Sequence, residues 1–373
     1  MGYTKKRYGG IVPGLLFGAA AGIAAGSLVL APAIPGFSGV EDKNALDEAT
    51  RKARQAENES AIIRAQSTAA DAFIHDQSPA IVEGMLTDVA VAVIVAPGAA
   101  EEDVAAVTEL LGTAGATVTG RIGLEEKFFD RSGADQLETI ATSVLPAGST
   151  LSQARLDPGV HAGELLAASL MQQPATGTPY ATDGERAIVL NSLTDAGYIA
   201  DPGEISPARA AVIIFGPDDG SGDEFATRAK ARFADGFAGT GKAVVAAGPV
   251  VSASDTGVIG LIRAAGTPGL TTIDSLSKAY GRLGVVVAVR GELEGRDGAF
   301  GAAASATAAV PPVPVGPPPA IRPDTRDSDE ATPDADNRDA DSPAGEQQPA
   351  ADNPQPPAPP APAADGAAPA PAE

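Results

Sequence analysis

The chain contains no cysteine and no tryptophan among its 373 residues, and only two histidines and three methionines. Without cysteine it can form neither disulfide bonds nor thiolate metal sites. Copper(I) prefers sulfur ligands and copper(II) suits imidazole, but Met1, Met85 and Met171 are scattered, and His75 is distant from His161 in the sequence. We therefore expect no metal site and no cofactor, and in particular no tight copper site within one subunit.

Basic and aromatic side chains are also scarce. The chain has 26 Lys and Arg residues against 48 Asp and Glu residues, which gives a formal net charge of -22. Such a charge repels phosphate backbones, so we expect no nucleic-acid partner. Aromatic residues make up only 4% of the chain, so any core must consist mainly of small aliphatic side chains. Such a core suits a parallel sheet covered by helices.

Motifs for catalysis or cofactor binding are missing as well. Residues 236–242 fit the G-x-x-x-x-G-K part of a phosphate-binding loop, but Ala243 replaces the Ser or Thr that holds magnesium, and a strand-like run follows where a helix is required. After the first predicted strand, residues 97–99 read Pro-Gly-Ala instead of the dinucleotide-binding glycines. No Ser, His and Asp group surrounds either histidine in the sequence. We predict that the chain is not an enzyme and has no catalytic residue.

Two acidic pairs, Asp218-Asp219 and Asp223-Glu224, follow a predicted strand in a Gly-rich loop. Carboxylates in such a loop could bind a hard cation. Asp also favours turns, because its side chain accepts hydrogen bonds from nearby backbone amides. We interpret all four as solvated turn residues.

The N-terminus has the pattern of a membrane anchor. Lys5, Lys6 and Arg7 lie in a basic segment, residues 1–10, and precede a predicted transmembrane helix at 11–34 whose most apolar part has about the 20 residues needed to cross a bilayer. A cleaved signal peptide is the alternative, since residues 31–33 read Ala-Pro-Ala. In both cases the bulk of the chain lies outside the cytoplasm, because the positive flank stays inside. We expect a single-pass protein of the cell membrane.

Small residues recur at every fourth position of the predicted span, at Gly14, Gly18, Gly22 and Gly26. One helix face is therefore small enough for two backbones to approach closely. This face predicts transmembrane packing in a homodimer.

Residues 40–78 predict a coiled-coil stalk, because they are rich in good helix formers and Pro79 is expected to end the helix. The predicted seam follows one 3-4 heptad register and consists of Leu46, Ala49, Ala53, Ala56, Ile63, Ala70 and Ile74, with Ser60 and Ser67 between them. Ala and Ser bury little area per layer, so the helix is either a marginal coiled coil or one that packs on another protein.

A folded domain is predicted over residues 85–295. Apolar runs of strand length occur at 89–95, 117–122, 211–215, 243–247, 270–273 and 285–289, the last extending over 284–290. Helical patterns lie between them, at 101–111, 136–144, 162–171, 185–196 and 223–236. Alternating strands and helices predict an α/β fold, a Rossmann-like open and mostly parallel sheet of about six strands. Residues 301–373 are rich in Pro, Ala and Asp, which predicts a disordered tail.

Several segments carry a family resemblance. The runs VAVIVAPGAAEEDVAAVTELLGTAGATVTGRI, SVLPAGSTLSQ and AGELLAASL, followed by TDAGYI and TTIDSLSKAYGRLGVVVAV, resemble the actinobacterial MctB-like family from about residue 11 to 290. That resemblance implies copper transport across the outer membrane. Relatives of the SteB type imply instead a role in cell separation, in which a cell-wall hydrolase is regulated. Neither description brings a catalytic motif.

We therefore expect a non-enzymatic, membrane-anchored scaffold or regulator of the cell envelope, acting in cell separation or cell-wall remodelling. Its partners are expected to be a second copy of the chain, the cytoplasmic membrane and an envelope protein such as a cell-wall hydrolase or its regulator. Copper efflux and copper homeostasis, as the family resemblance implies, are the alternative.

Overall fold

The computed structural model describes residues 41–239, 243–314 and 316. The predicted anchor, with Gly14, Gly18, Gly22 and Gly26, and most of the predicted tail lie outside these residues. Among the helices that the structure describes, none is long and apolar enough to cross a membrane.

The centre of the molecule is a six-stranded sheet in which all neighbouring strands are parallel, in the order β2-β1-β3-β4-β5-β6. This confirms the predicted α/β fold and its parallel sheet. The strands are β1 (Ala90–Val95), β2 (Thr117–Gly123), β3 (Ala210–Ile214), β4 (Ala243–Ala247), β5 (Leu270–Ile273) and β6 (Ala299–Phe300).

Helices connect the strands and cover both faces of the sheet. In chain order they are α1 (Glu41–Val82), α2 (Glu101–Thr113), α3 (Ala134–Ser143), α4 (Pro158–Leu170), α5 (Asp183–Asp195), α6 (Glu224–Ala238), α7 (Val258–Ala265) and α8 (Ala279–Leu293). Short 3₁₀ turns at Glu126–Phe128 and Val250–Ala253 complete the connections.

Side chains that alternate along β1 divide the core into two halves. Val91, Val93 and Val95 contact the end of α1, α2 and α8 on one face. Ala92 and Ile94 face the opposite way, toward α3 to α7. Because both faces of the strand are buried, its sequence is apolar throughout rather than alternating with polar residues.

The prediction of a strand at 285–289, or 284–290, is wrong: these residues lie inside α8, and the sixth strand is Ala299–Phe300. Every residue from Val285 to Glu292 is buried, because α8 crosses the sheet beneath α1 and α2. A helix buried on all sides has no polar stripe. Its short run of valines therefore cannot be told from a buried strand by periodicity.

The prediction that Pro79 ends the first helix is also wrong, since α1 continues to Val82 with Pro79 inside it. Proline lacks one amide donor, and near the end of a helix this loss affects a single hydrogen bond. The turn is otherwise kept, because the Ser78 hydroxyl donates to the Ile74 carbonyl (2.6 Å) and the Glu83 amide donates to the Pro79 carbonyl (3.1 Å).

The domain also extends past residue 301, where the sequence analysis placed the start of the tail. The Gly301 and Thr307 amides donate to the Ala308 and Ala299 carbonyls (2.9 and 2.7 Å). Pro311 is buried. Backbone hydrogen bonds and the buried Asp274 hold this segment, although it has few large apolar side chains.

Candidate functional site

A cleft opens at the carboxyl ends of β1 and β3, where the order of the sheet reverses. The helices that follow these two strands, α2 and α6, cover opposite faces of the sheet, and ligands of open α/β sheets bind in the crevice between such loops. The cleft has a volume of about 510 Å³ and is lined chiefly by the loops after β1 and β3 and by the start of α6.

The acidic residues of the loop after β3 are occupied by structural contacts. Asp218 accepts hydrogen bonds from the Thr227 hydroxyl (2.6 Å) and the Lys230 ammonium group (2.7 Å). Asp219 accepts from the Ser221 amide (2.9 Å), and Asp223 caps α6 by accepting from the Phe225 amide (2.9 Å). Within the described ranges, no three His, Asp or Glu side chains are grouped so that they could hold a metal ion.

The start of α2, which follows the cleft-lining residues Pro97 and Gly98 in the chain, is unsuited to phosphate. Its first turn carries Glu101, Glu102 and Asp103, and these charges oppose an anion at a helix N-terminus. Glu101 is bound by both terminal nitrogens of Arg121 at 2.5 and 2.6 Å, and hydrogen bonding to Arg121 lowers the Glu101 pKa. The acidic first turn and the missing dinucleotide-binding glycines therefore both argue against phosphate binding at the start of α2.

The segment that fits part of a phosphate-binding loop has a packing role at its start. Gly236 lies inside α6, and a Cβ atom placed on it would come within 2.2 Å of the Val160 carbonyl oxygen of α4. Gly239 ends α6, and β4 begins at Ala243. The segment thus leads from a helix into a strand, whereas a phosphate-binding loop leads from a strand into a helix.

His161, in α4, is buried between two acceptors. Its Nδ1 lies 2.6 Å from Glu138 Oε1 of α3, and its Nε2 lies 2.9 Å from the Ser152 carbonyl oxygen. A carbonyl only accepts hydrogen bonds, so Nε2 carries a proton. Burial lowers the His161 pKa, but the hydrogen bonds to Ser152 and Glu138 together outweigh it and raise the pKa. The ring therefore ties α3, α4 and the intervening segment together.

That intervening segment includes the LPAG loop at 145–148, which is part of the family resemblance, and acidic side chains hold it in place. The Ala147 amide donates to Glu185 (2.9 Å), which lowers the Glu185 pKa, and the Ser152 amide donates to Glu164 (2.8 Å). Arg155 pairs with Asp235 at 2.5 Å. These contacts fix the position of the loop.

A second buried network anchors the C-terminal end of the domain. Arg263 pairs with Asp274 at 2.9 Å, and their side chains are 7% and 0% exposed. Asp274 also accepts from the Ala302 amide (2.8 Å), and Arg263 donates to the Phe300 carbonyl (2.8 Å) and the Ser305 hydroxyl (2.8 Å). Sequence reasoning missed this network, because its members are spread over about 40 residues and belong to no motif.

The predicted seam residues all lie in α1, but the structure separates them into two groups. Ile63 is 64% exposed, whereas Ile74 is partly buried against the domain core. Asp71 accepts a hydrogen bond from the Ala279 amide (2.7 Å) and so caps α8. The helix is thus docked from Asp71 onward and free of the domain before it. Of the two histidines, His75 is exposed on α1 and His161 is buried in the domain.

The described part of the chain is therefore a doubly wound α/β domain attached to a long helix that is largely exposed. Residues 12–311 match the sequence model of the family described as "Copper transport outer membrane protein, MctB", and the chain belongs to this family.

Similar proteins from three mycobacteria carry the name "Copper transporter MctB". The chain is 31% identical over 244 residues to the one from Mycobacterium leprae, an alignment that covers 62% of this chain and 76% of the relative. It is 30% identical over 238 residues to those from Mycobacterium bovis and Mycobacterium tuberculosis strain H37Rv, with the same coverage. Membership confirms the family that the sequence resembled and associates the chain with the membrane or cell envelope.

Proposed function

We propose that this chain is a non-enzymatic, membrane-anchored protein of the cell envelope that binds a protein partner through the free part of α1. The observation that carries the proposal is the exposure of residues 47–70, where Ile62 and Ile63 are 57% and 64% exposed. Phe73, 67% exposed, extends the apolar surface toward the domain. The partner acts in cell separation or cell-wall remodelling, as a cell-wall hydrolase or its regulator would.

The energetics of these side chains support a binding role. Fully burying an Ile or Phe side chain contributes roughly 1.5 to 3 kcal/mol, and none of the three obtains that contribution within the described domain. Amphipathic helices are a common recognition element, since a partner groove can take up the apolar residues at successive turns. The exposed apolar side chains of α1 therefore give a partner surface to bury.

The test is affinity purification of the full-length chain from the cell envelope with paired variants. We expect Ile62→Asp, which leaves the seam residue Ile63 in place, to reduce recovery of the envelope partner at least tenfold. Thr68→Asp is the matched control, since it adds a charge to the same stretch of helix on another face and should leave recovery within twofold. Equal recovery from both variants contradicts the proposal.

Copper transport is a second candidate, because the family description and the names of three relatives specify it. Under this candidate, deleting the gene lowers copper tolerance, and the wild-type chain restores it. The purified full-length chain then binds copper stoichiometrically, and His75→Gln, on the exposed surface of α1, weakens that binding. Unchanged copper tolerance together with defective cell separation favours the partner-binding function.

A further inference from the structure

The free part of α1 has no neighbour among the described residues over a considerable length. Residues 47–70 contain 24 positions, which span about 36 Å of helix, and only Ala56 and Ser60 among them are even partly shielded. Contact with the domain begins at Asp71 and continues through Ile74, Ser78 and Val82 at helical spacing. Any occupant of the seam must therefore come from outside the domain.

The charged residues that flank the seam indicate which occupant fits. On the heptad register of Ala49, Ala53 and Ala56, the flanking positions that bear charge are Lys52, Glu57, Glu59 and Arg64. In parallel coiled coils, the residue just before an a position (g) pairs with the residue just after a d position (e) five residues later on the other helix. These pairs set orientation and partner choice. Lys52 is thereby placed beside Glu57 of a second copy, and Glu59 beside Arg64.

Twofold symmetry doubles these contacts, so a parallel dimer gains four pairs of opposite charge. An antiparallel dimer that keeps the layers from Ala49 to Ser67 instead places Glu57 beside Glu57 and Glu59 beside Glu59 of the second copy, so it gains no pair of opposite charge among these residues. A parallel arrangement also puts both predicted N-terminal anchors at one end of the helices and both domains at the other.

We propose that residues 49–70 of α1 pair with the same residues of a second copy as a parallel, in-register, two-stranded coiled coil. The domain limits the pairing, because Asp71 caps α8 and Ile74 packs on the core. Existing contacts compete only weakly: Lys52 pairs with Glu48 at 2.7 Å and Gln55 donates to Glu59 at 2.9 Å, both exposed and within one helix.

This inference rests on the proposed function, in which an envelope partner binds α1, and adds a second copy of the chain as another binder of the same helix. The two binders contact different faces of the helix. Ile63 lies on the seam, whereas Ile62 lies outside it on the same register and stays exposed in the dimer. A dimer thus presents two copies of Ile62 to an envelope partner. Loss of pairing and loss of partner recovery can accordingly be measured separately.

The absence of cysteine makes cross-linking a clean test of the proposal. In membranes that contain the full-length chain, Ser60→Cys places a thiol on the seam, and Ala61→Cys places one on the outer surface of the same turn. We expect diamide to cross-link Ser60→Cys at least fivefold more than Ala61→Cys. Equal cross-linking of the two variants, or none, overturns the proposal even if the envelope partner is still recovered.

Orientation has its own test. When differently tagged Ala49→Cys and Ser67→Cys chains are co-expressed, a parallel dimer gives few mixed cross-links, since the two thiols are about 27 Å apart along the helix. An antiparallel dimer aligns them, so abundant mixed cross-links overturn the proposal. Lys52→Glu should lower Ser60→Cys cross-linking about twofold to threefold, and adding Glu57→Lys should restore it. Failure of that second change to restore cross-linking also contradicts the parallel register.

Discussion

The two halves of α1 differ in what surrounds them, although they form one continuous helix. From Asp71 to Val82 the helix caps α8, packs Ile74 on the core and buries Val82. Over residues 47–70 its side chains are almost all exposed. A helix can therefore have the same backbone throughout while one half stabilises the domain and the other is left for binding.

Buried and exposed ion pairs differ in the same way, and breaking a buried pair should have the largest effect on the free energy of unfolding. Arg263→Ala leaves the Asp274 carboxylate buried without its cation and should lower the free energy of unfolding by about 3 to 5 kcal/mol. Arg228→Ala is the control, because Arg228 pairs with Glu224 on the surface and both side chains are more than half exposed. Urea unfolding of the purified chain measures both. A cost for Arg263→Ala no larger than the control's would mean that the pair does not anchor the segment after β6.

A pH-dependent effect of nearly the same size is expected at Glu292, which is 8% exposed and whose Oε1 has no hydrogen-bond partner among the described residues. Burial raises its pKa to about 7. Because the folded pKa lies above the unfolded value, the folded chain binds more protons, and stability falls as pH rises from about 4.5 to about 7. Each unit of pKa shift corresponds to about 1.4 kcal/mol, so the loss should be roughly 3 kcal/mol.

The measurement compares Glu292→Gln with the wild-type chain in urea at pH values from 4.5 to 8. We expect the variant's advantage to grow across this range, since Gln never becomes charged, and to level off above pH 7. Parallel stability curves for the two chains would show that Glu292 does not titrate in this range.

An effect of intermediate size is expected when the same substitution is made in the docked part and in the free part of α1. Ile74→Asp places a charge against the domain core and should lower the free energy of unfolding by about 1 to 3 kcal/mol. Ile63→Asp should change it by less than about 0.5 kcal/mol, because that side chain does not touch the domain. Urea unfolding at one fixed pH provides the values. Similar costs for both would mean that the free half also contributes to folding.

The smallest effect is expected at the C-terminal end. Truncation after residue 320 should leave the melting temperature unchanged within error, because it keeps the segment that hydrogen bonds to the domain. Truncation after Phe300 removes the Ala302 and Ser305 contacts with Asp274 and Arg263 and should lower the melting temperature. Thermal unfolding followed by circular dichroism compares them. A drop with the longer chain would mean that residues beyond 320 also stabilise the domain.

The sequence predicted five of the six strands to within about one residue, because each is a short apolar run bounded by Gly, Pro or polar residues. It failed at α8, where a helix buried on every side resembles a buried strand. It also missed α7, eight residues long and ending at Gly266 with φ +65°, since so short a segment shows no full helical period. The sixth strand has only two residues and no pattern to recognise.

The candidate sites were harder to predict than the fold. His161 was noticed as one of two histidines, but Glu138 is 23 residues away and nothing in the sequence connects them. Of the four acidic residues interpreted as solvated turn residues, Asp219 is an exposed turn residue, but Asp218 is largely buried and pairs with Lys230, and Asp223 and Glu224 begin α6. Ile74 appeared to belong to the seam because it keeps the heptad spacing, and only the docked domain shows that it serves the core.

The sequence by itself determined the parallel α/β fold, the long polar helix before it and the family, because these depend on local periodicity and on the order of segments along the chain. The tertiary structure alone decided which half of α1 is free, which charges are buried and how the segment after β6 is held. The reason is physical: burial and ion pairing depend on distances between residues far apart in the chain, such as Asp71 and Ala279, and no local pattern encodes those distances.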